Sequence, residues 1–300
     1  MKKKTYLFAL MAMVLTLGSC SDNENGIGGE TSKYITVSTS IGNMTRVGTD
    51  ANGGQTFEEG DEISVYAWTG DATVAPETSE RVVNNAINKL TNGSWVSTPQ
   101  MLWKNNRDKH YFIGVYPTAA IFDLSAGEYT FDETKQVESD LLVAVNPDGL
   151  SYSADAQQTV PLTFTHVMAK LAVNLTYKNQ WGGIPTVEKV VVGNAAKEAT
   201  INYLTKVVTP STTAKEDFSL PEITENTKYV SVIIPQEDVT QLTIVIGGKN
   251  FVYDNGTPFK LESGKITTVN LEVGRDEIKL GDVKITNWED GSTFSGEALN

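Results

Sequence analysis

The sequence predicts an all-β protein with two tandem antiparallel β-sandwich domains behind an N-terminal export signal. Short runs that alternate apolar and polar residues recur along the chain, with the period of half-buried strands. Clusters of Gly, Asn, Asp and Pro separate these runs, and no stretch between them sustains a helical period. The 300 residues exceed one typical domain and fit two modest ones, and short strands at this spacing favour sandwiches.

The first element is residues 1–19. Lys2, Lys3 and Lys4 precede the apolar run 6–15, and Leu17-Gly18-Ser19 lead to Cys20, the order of a secretory signal peptide. The run is shorter than the roughly 20 apolar residues a membrane-spanning helix needs. Leu17-Gly18-Ser19-Cys20 resembles a bacterial lipobox, in which the cysteine sulfur receives a diacylglyceryl group. Two or more alkyl chains on Cys20 would anchor the mature N-terminus stably to a membrane. Because Cys20 is the only cysteine, the folded part has no disulfide, zinc–thiolate site or thiol nucleophile.

Residues 20–46 form the second element. The stretch 21–32 is polar, acidic and Gly-rich, and reads as a tether with too few apolar groups to offset the entropy of ordering. In 34–41, Ile35, Val37 and Ile41 fall on one face, with Thr36, Ser38 and Ser40 on the other. Arg46 follows beside glycine and is the only basic residue between Lys33 and Arg81. Taken alone, it reads as a solvated loop arginine.

Residues 47–168 are expected to form the N-terminal sandwich, with strands at 62–68, 110–116 and 141–145. Residues 169–300 are expected to form the C-terminal one, with strands at 170–177, 187–192, 229–234, 241–247, 265–273 and 277–288. The junction falls near 166–170. No short sequence repeat is present.

The chain carries a net charge of −13, and its signal segment holds three of the lysines, so the mature protein is more acidic still. Such a surface repels phosphate backbones, and no stretch clusters Lys or Arg with aromatics, which excludes nucleic acid as a partner. His110 and His166, the only histidines, sit in apolar strand-like contexts that suit satisfied core residues. The tryptophans Trp68, Trp95, Trp103, Trp181 and Trp288 read as core or sheet-edge residues rather than a sugar platform. The acidic stretches 58–62, 132–140 and 148–155 lack calcium-loop spacing, and no nucleophile elbow or phosphate loop occurs. A glycosidase needs only a pair of carboxylates, which 37 acidic residues contain by number alone. The reading remains a non-enzymatic protein with no cofactor and no metal site.

The order of several motifs then carries a resemblance. After the lipobox and the strand ending near Thr45-Arg46 come Phe57-Glu58-Glu59-Gly60-Asp61-Glu62-Ile63-Ser64-Val65-Tyr66 and Tyr111-Phe112-Ile113-Gly114-Val115-Tyr116-Pro117. Asp140-Leu141-Leu142-Val143-Ala144 and Val160-Pro161-Leu162-Thr163-Phe164-Thr165-His166-Val167-Met168-Ala169-Lys170-Leu171 follow, and Val283-Lys284-Ile285-Thr286-Asn287-Trp288-Glu289-Asp290-Gly291 completes the set. Together they resemble the fimbrillin family, the type V pilins of Gram-negative surface fibres. The resemblance implies transthyretin-like sandwiches and delivery to the cell outer membrane surface by the lipoprotein export machinery. It also implies proteolytic loss of the N-terminal strand and filling of the vacated groove by a strand from another fimbrial subunit, of the same or a related pilin.

On that resemblance, a trypsin-like surface protease is expected to cut between Arg46 and Val47. The removable strand would hold the groove through Ile35, Val37 and Ile41, at about 1.5 to 3 kcal/mol for each fully buried side chain. The run 282–288, with Val283 and Ile285 on one face, is either a donor strand or the last strand of its own domain. The tail 289–300, with Phe294 and Ala298, is either a subunit contact or a frayed terminus. Shaft and tip subunits both fit, with a role in adhesion or biofilm formation and a host or bacterial surface receptor as a further partner. The rival readings are a monomeric surface lipoprotein that binds glycan or protein while staying acylated on Cys20, and a permanently anchored fimbrial subunit.

Overall fold

The computed structural model describes residues 33–42, 57–153 and 158–288. Cys20, Arg46, Val47 and the tail 289–300 lie outside the described residues. In the first half of the chain the strands are β1 (Thr36–Ile41), β2 (Glu62–Thr69), β3 (Val83–Thr91), β4 (Ser94–Thr98), β5 (His110–Tyr116), β6 (Gly127–Thr130), β7 (Leu142–Leu150) and β8 (Thr159–His166). The second half holds β9 (Ala169–Tyr177), β10 (Val187–Ala196), β11 (Glu198–Asn202), β12 (Val207–Pro210), β13 (Lys215–Leu220), β14 (Glu222–Thr224), β15 (Lys228–Ile233), β16 (Gln236–Ile246), β17 (Lys249–Leu261), β18 (Lys265–Val273) and β19 (Ile278–Asn287). The only helical segments among the described residues are 3-10 turns at Thr78–Glu80 and Asn179–Trp181. The protein is all-β, as its alternating runs predict.

The first half is a 7-stranded sheet in the order β1-β8-β7-β5-β2-β3-β4. Its inner strand β2 is buried on both faces, which is why Val65 to Trp68 carries apolar side chains at successive positions rather than in alternation. One face gathers Ile35, Val37, Ile63, Val65, Phe112, Leu162 and Phe164 into a closed core. Phe164 and Leu162 lie so close over Gly114 that a Cβ there would meet the Phe164 ring at 2.6 Å. Asn92 and Gly93, with φ of 51° and 73°, turn β3 into β4, the positive angles that a tight hairpin between right-twisted strands requires.

The second half packs a 5-stranded sheet, β14-β15-β9-β18-β19, with a 4-stranded sheet, β13-β10-β16-β17. The halves are not independent. A 3-stranded sheet, β12-β11-β6, pairs β6 of the first half with β11 of the second, and one continuous core runs from Tyr66, Trp68 and Ile113 through Phe131 to Phe218, Val269 and Leu271. The Gln136 side chain caps β15 by accepting the Val232 N–H at 2.7 Å and donating to the Ser231 hydroxyl at 3.1 Å.

Antiparallel pairing dominates, with two exceptions that the expected antiparallel sandwiches did not include. β1 runs parallel to β8, and β9 runs parallel to β18. Each half thus begins with a strand laid parallel to a strand near the end of that half, although no sequence repeat announces it.

Candidate functional site

The first candidate site is the groove that β1 fills. β1 pairs in register with β8, from Thr36 opposite Thr159 to Ile41 opposite Phe164. Its outward hydroxyls pair with those of β8, Thr36 with Thr159 at 3.2 Å and Ser40 with Thr163 at 3.1 Å. On the other side, the Ile35 N–H donates to the Met101 carbonyl at 3.0 Å and the Trp103 N–H to the Lys33 carbonyl at 3.2 Å. The segment after β4 therefore returns to β1 and closes the sheet on itself.

Inside the groove, Ile35 and Val37 are 1% and 6% exposed. Ile41 is only half-buried, packed at the end of the core with Phe57 and Trp95. Between them Thr39 also points inward, and its hydroxyl accepts the Trp95 indole N–H at 3.0 Å. The removable-strand residues of the sequence reading thus share one inward face, with Ile35 and Val37 the buried pair.

The groove ends in an aromatic cluster. Phe57 meets the rings of Phe164, Trp95 and Tyr116 at 5.1, 5.3 and 5.3 Å, each edge to face. Gly42, just past β1, donates its N–H to the Phe164 carbonyl at 2.8 Å. Gly42 and Phe57, the residues that flank 43–56, therefore both rest on Phe164.

The second candidate site is β19. Among the described residues it pairs only with β18, and a register shift at Asn270/Leu271 leaves Gly281 as an extra residue. That bulge sets Ile278, Leu280, Val283 and Ile285 opposite Val273, Leu271, Val269 and Thr267, all of which are buried. The β19 side chains are not covered in the same way: Leu280, Val283 and Ile285 are 37%, 40% and 39% exposed. β19 is an edge strand with an apolar stripe reaching beyond the sandwich. Such an edge is a template for another chain.

Beyond β19 the chain ends, among the described residues, in a clasp. The Trp288 ring stacks on the His166 imidazole with centroids 4.2 Å apart and planes 12° from parallel. The Lys170 ammonium lies 4.1 Å from the centre of the Trp288 ring. Asp140 bonds His166 Nδ1 at 2.8 Å, and the Trp288 N–H donates to the Gly264 carbonyl at 3.1 Å. Burial pushes the Lys170 ammonium below its ordinary pKa, and nearby Asp140 opposes that shift.

His110 is a fully buried core residue: Nε2 accepts the Lys104 N–H at 3.0 Å, and Nδ1 lies 3.1 Å from the Asp108 carbonyl. Its ring meets Trp103 edge to face at 5.0 Å, and burial pushes its pKa down. Trp68, Trp103 and Trp288 are buried and Trp95 and Trp181 half-buried, so no indole lies open as a platform. The periodicity did not single out Thr39, Phe57 or Lys170. Their roles depend on partners far away in sequence.

The fold is thus an all-β one, with a closed core completed by a parallel N-terminal strand and an apolar edge strand at β19. The chain belongs to the fimbrillin-like family, whose model matches residues 45–288. Solved structures share the fold. A candidate cell adhesion protein from Bacteroides uniformis is 18% identical, with a TM-score of 0.63 over 85% of this chain and 98% of that one. A second, from Bacteroides ovatus, is 17% identical, with a TM-score of 0.61 over 85% and 98%. The tip fimbrial protein Mfa3 from Porphyromonas gingivalis, with C-terminal truncation, is 11% identical, with a TM-score of 0.50 over 77% and 95%. No curated protein matches the chain. Family membership supports the role of a fimbrial subunit at the cell surface, a structural rather than enzymatic part.

Proposed function

We propose that this protein is a fimbrial subunit that polymerises by strand exchange: its lipid-carrying N-terminal segment is cut after Arg46, β1 leaves, and β19 of another subunit fills the groove. The carrying observation is that β1 completes the first core with a ladder only to β8, while on its other side the described bonds are those of Lys33 and Ile35 to residues 101–103 and of the Thr39 hydroxyl to the Trp95 indole. Losing it would bare the β8 edge and the pocket of Ile35 and Val37, the template that strand addition uses.

The ends of 43–56 favour the cut. Gly42 and Phe57 both rest on Phe164, so hydrolysis between Arg46 and Val47 would sever no described strand. The part with Cys20 and β1 would then leave together, and the lipid would serve as a delivery device. Surface fibres built this way suit adhesion or biofilm formation, with further fimbrial subunits as the direct partners.

N-terminal sequencing of subunits sheared from the cell surface tests the reading. A start at Val47 is the expected result. A lipidated Cys20 in the only stable form would overturn it and leave a permanently anchored subunit or a monomeric lipoprotein.

A further inference from the structure

We propose that Trp288 is the retaining residue of β19, a ring clasp that keeps the strand on its own domain until it is exchanged. The observation is an imbalance along the strand. No residue of β19 is buried, yet Trp288, the residue that follows it, is 6% exposed. Leu280, Val283 and Ile285 gain little from a face the sandwich leaves open. The indole, by contrast, is held on one side by His166 at the end of β8 and approached by Lys170 of β9, with Asp140 fixing the imidazole.

The clasp is also built to open. His166 Nε2 is buried and has no hydrogen-bond partner among the described residues. Withdrawal of the indole would admit water to that nitrogen and to Lys170, and hydration would offset part of the lost stacking. The ladder between β18 and β19 would then be an edge pair with an exposed stripe, which frays readily. The consequence for assembly rests on β19 being the donated strand, but the retention is a property of one subunit.

Hydrogen exchange of the full-length precursor, read on peptides covering 278–287, tests the clasp. Trp288→Ala is expected to speed exchange there about tenfold or more, the scale of a lost aromatic stack with its cation. Exchange in β9 and β15 should not change. Trp288→Phe, which keeps a ring against His166, should retain most of the protection. If Trp288→Ala disturbs the whole domain, His166→Gln provides the second reading, because it removes the stacking ring and leaves β19 intact. Unchanged protection of β19 in whichever variant is folded overturns the proposal.

A parallel arm follows oligomer ladders after trypsin treatment of the same proteins. Faster exchange with no ladder from any of them would remove the donor reading and leave the clasp. Ladders with unchanged exchange would do the reverse.

Discussion

Ile35 donates its backbone N–H to the Met101 carbonyl at 3.0 Å, and with that bond the first sheet is closed by a strand that arrives before the rest of it. The five inner strands of that sheet have ladders on both sides, whereas β1 has a ladder only toward β8, as β4 at the opposite edge has only toward β3. Its hold on the molecule is therefore concentrated in side chains that enter the core. β9, its counterpart in the second half, has ladders on both sides, to β15 and to β18. A strand in that position cannot leave without splitting a sheet.

Truncation of the plug should be felt in proportion to burial. Ile35→Ala in the precursor is expected to cost about 2 to 4 kcal/mol through lost transfer and the cavity left behind. Ile41→Ala, at the half-buried end, should cost about 1 kcal/mol. Urea denaturation of the two variants checks the order, and equal costs would mean that the groove end is as closed as its middle.

The contact between the halves gives a second expectation. Gln136→Ala would strip the buried Val232 N–H of its acceptor and the Ser231 hydroxyl of a partner, at a cost of about 1 to 3 kcal/mol. Thermal unfolding reads this as a lower midpoint. A neutral result would require another acceptor to reach Val232.

Much of the strand content was legible because buried faces impose a period of two on Val, Ile and aromatic residues. The run from His110 to Tyr116 is β5 as expected, and the expected strands in 62–68, 170–177 and 265–273 appear as β2, β9 and β18. β3 was not legible: Asn84, Asn85 and Asn88 are poor strand formers, and Asn85 adopts a φ of 57° where the ladder shifts register. β8 carries Pro161, which argues against a strand, yet β7 pairs only with Phe164 to His166 and leaves the proline beyond that ladder. The hairpin of β11 and β12 is short, and the exposed residues of β12 give little pattern to read. As for the site, the face of Ile35 and Val37 was in the periodicity, but its parallel partner was not. Nothing local in Trp288 says that it will stack on His166.

Acid should weaken the first half through His110. Burial depresses its pKa, so the folded protein takes up a proton less readily than the unfolded chain. Its contribution is full above the unfolded value of about 6.5 and declines as pH falls from there toward the depressed folded value. Protonation would also cost Nε2 its role as acceptor of the Lys104 N–H. His110→Gln can still accept that bond but does not titrate. Urea midpoints at pH 7.5 and 5.5 should therefore differ less for the variant than for the wild type.

The apolar stripe of β19 allows folding and assembly to be separated in one substitution. In the single subunit Val283 is 40% exposed, so Val283→Lys can keep its ammonium in water while its stem lies along the sheet, at a cost of about 1 kcal/mol or less. In an acceptor groove that buries what Ile35 and Val37 now bury, the same lysine would forfeit about 1.5 to 3 kcal/mol of valine burial and add the desolvation of a charge. The variant should thus unfold close to the wild type in urea, yet give no oligomer ladder after cleavage. Ladders of wild-type length from Val283→Lys would mean that β19 does not enter the groove by this face. Lys284→Glu is the matching control, because it changes charge on an exposed residue of the opposite face, across from Thr268. It should leave both folding and ladder formation unchanged, and loss of ladders there would assign the effect to charge rather than to the stripe.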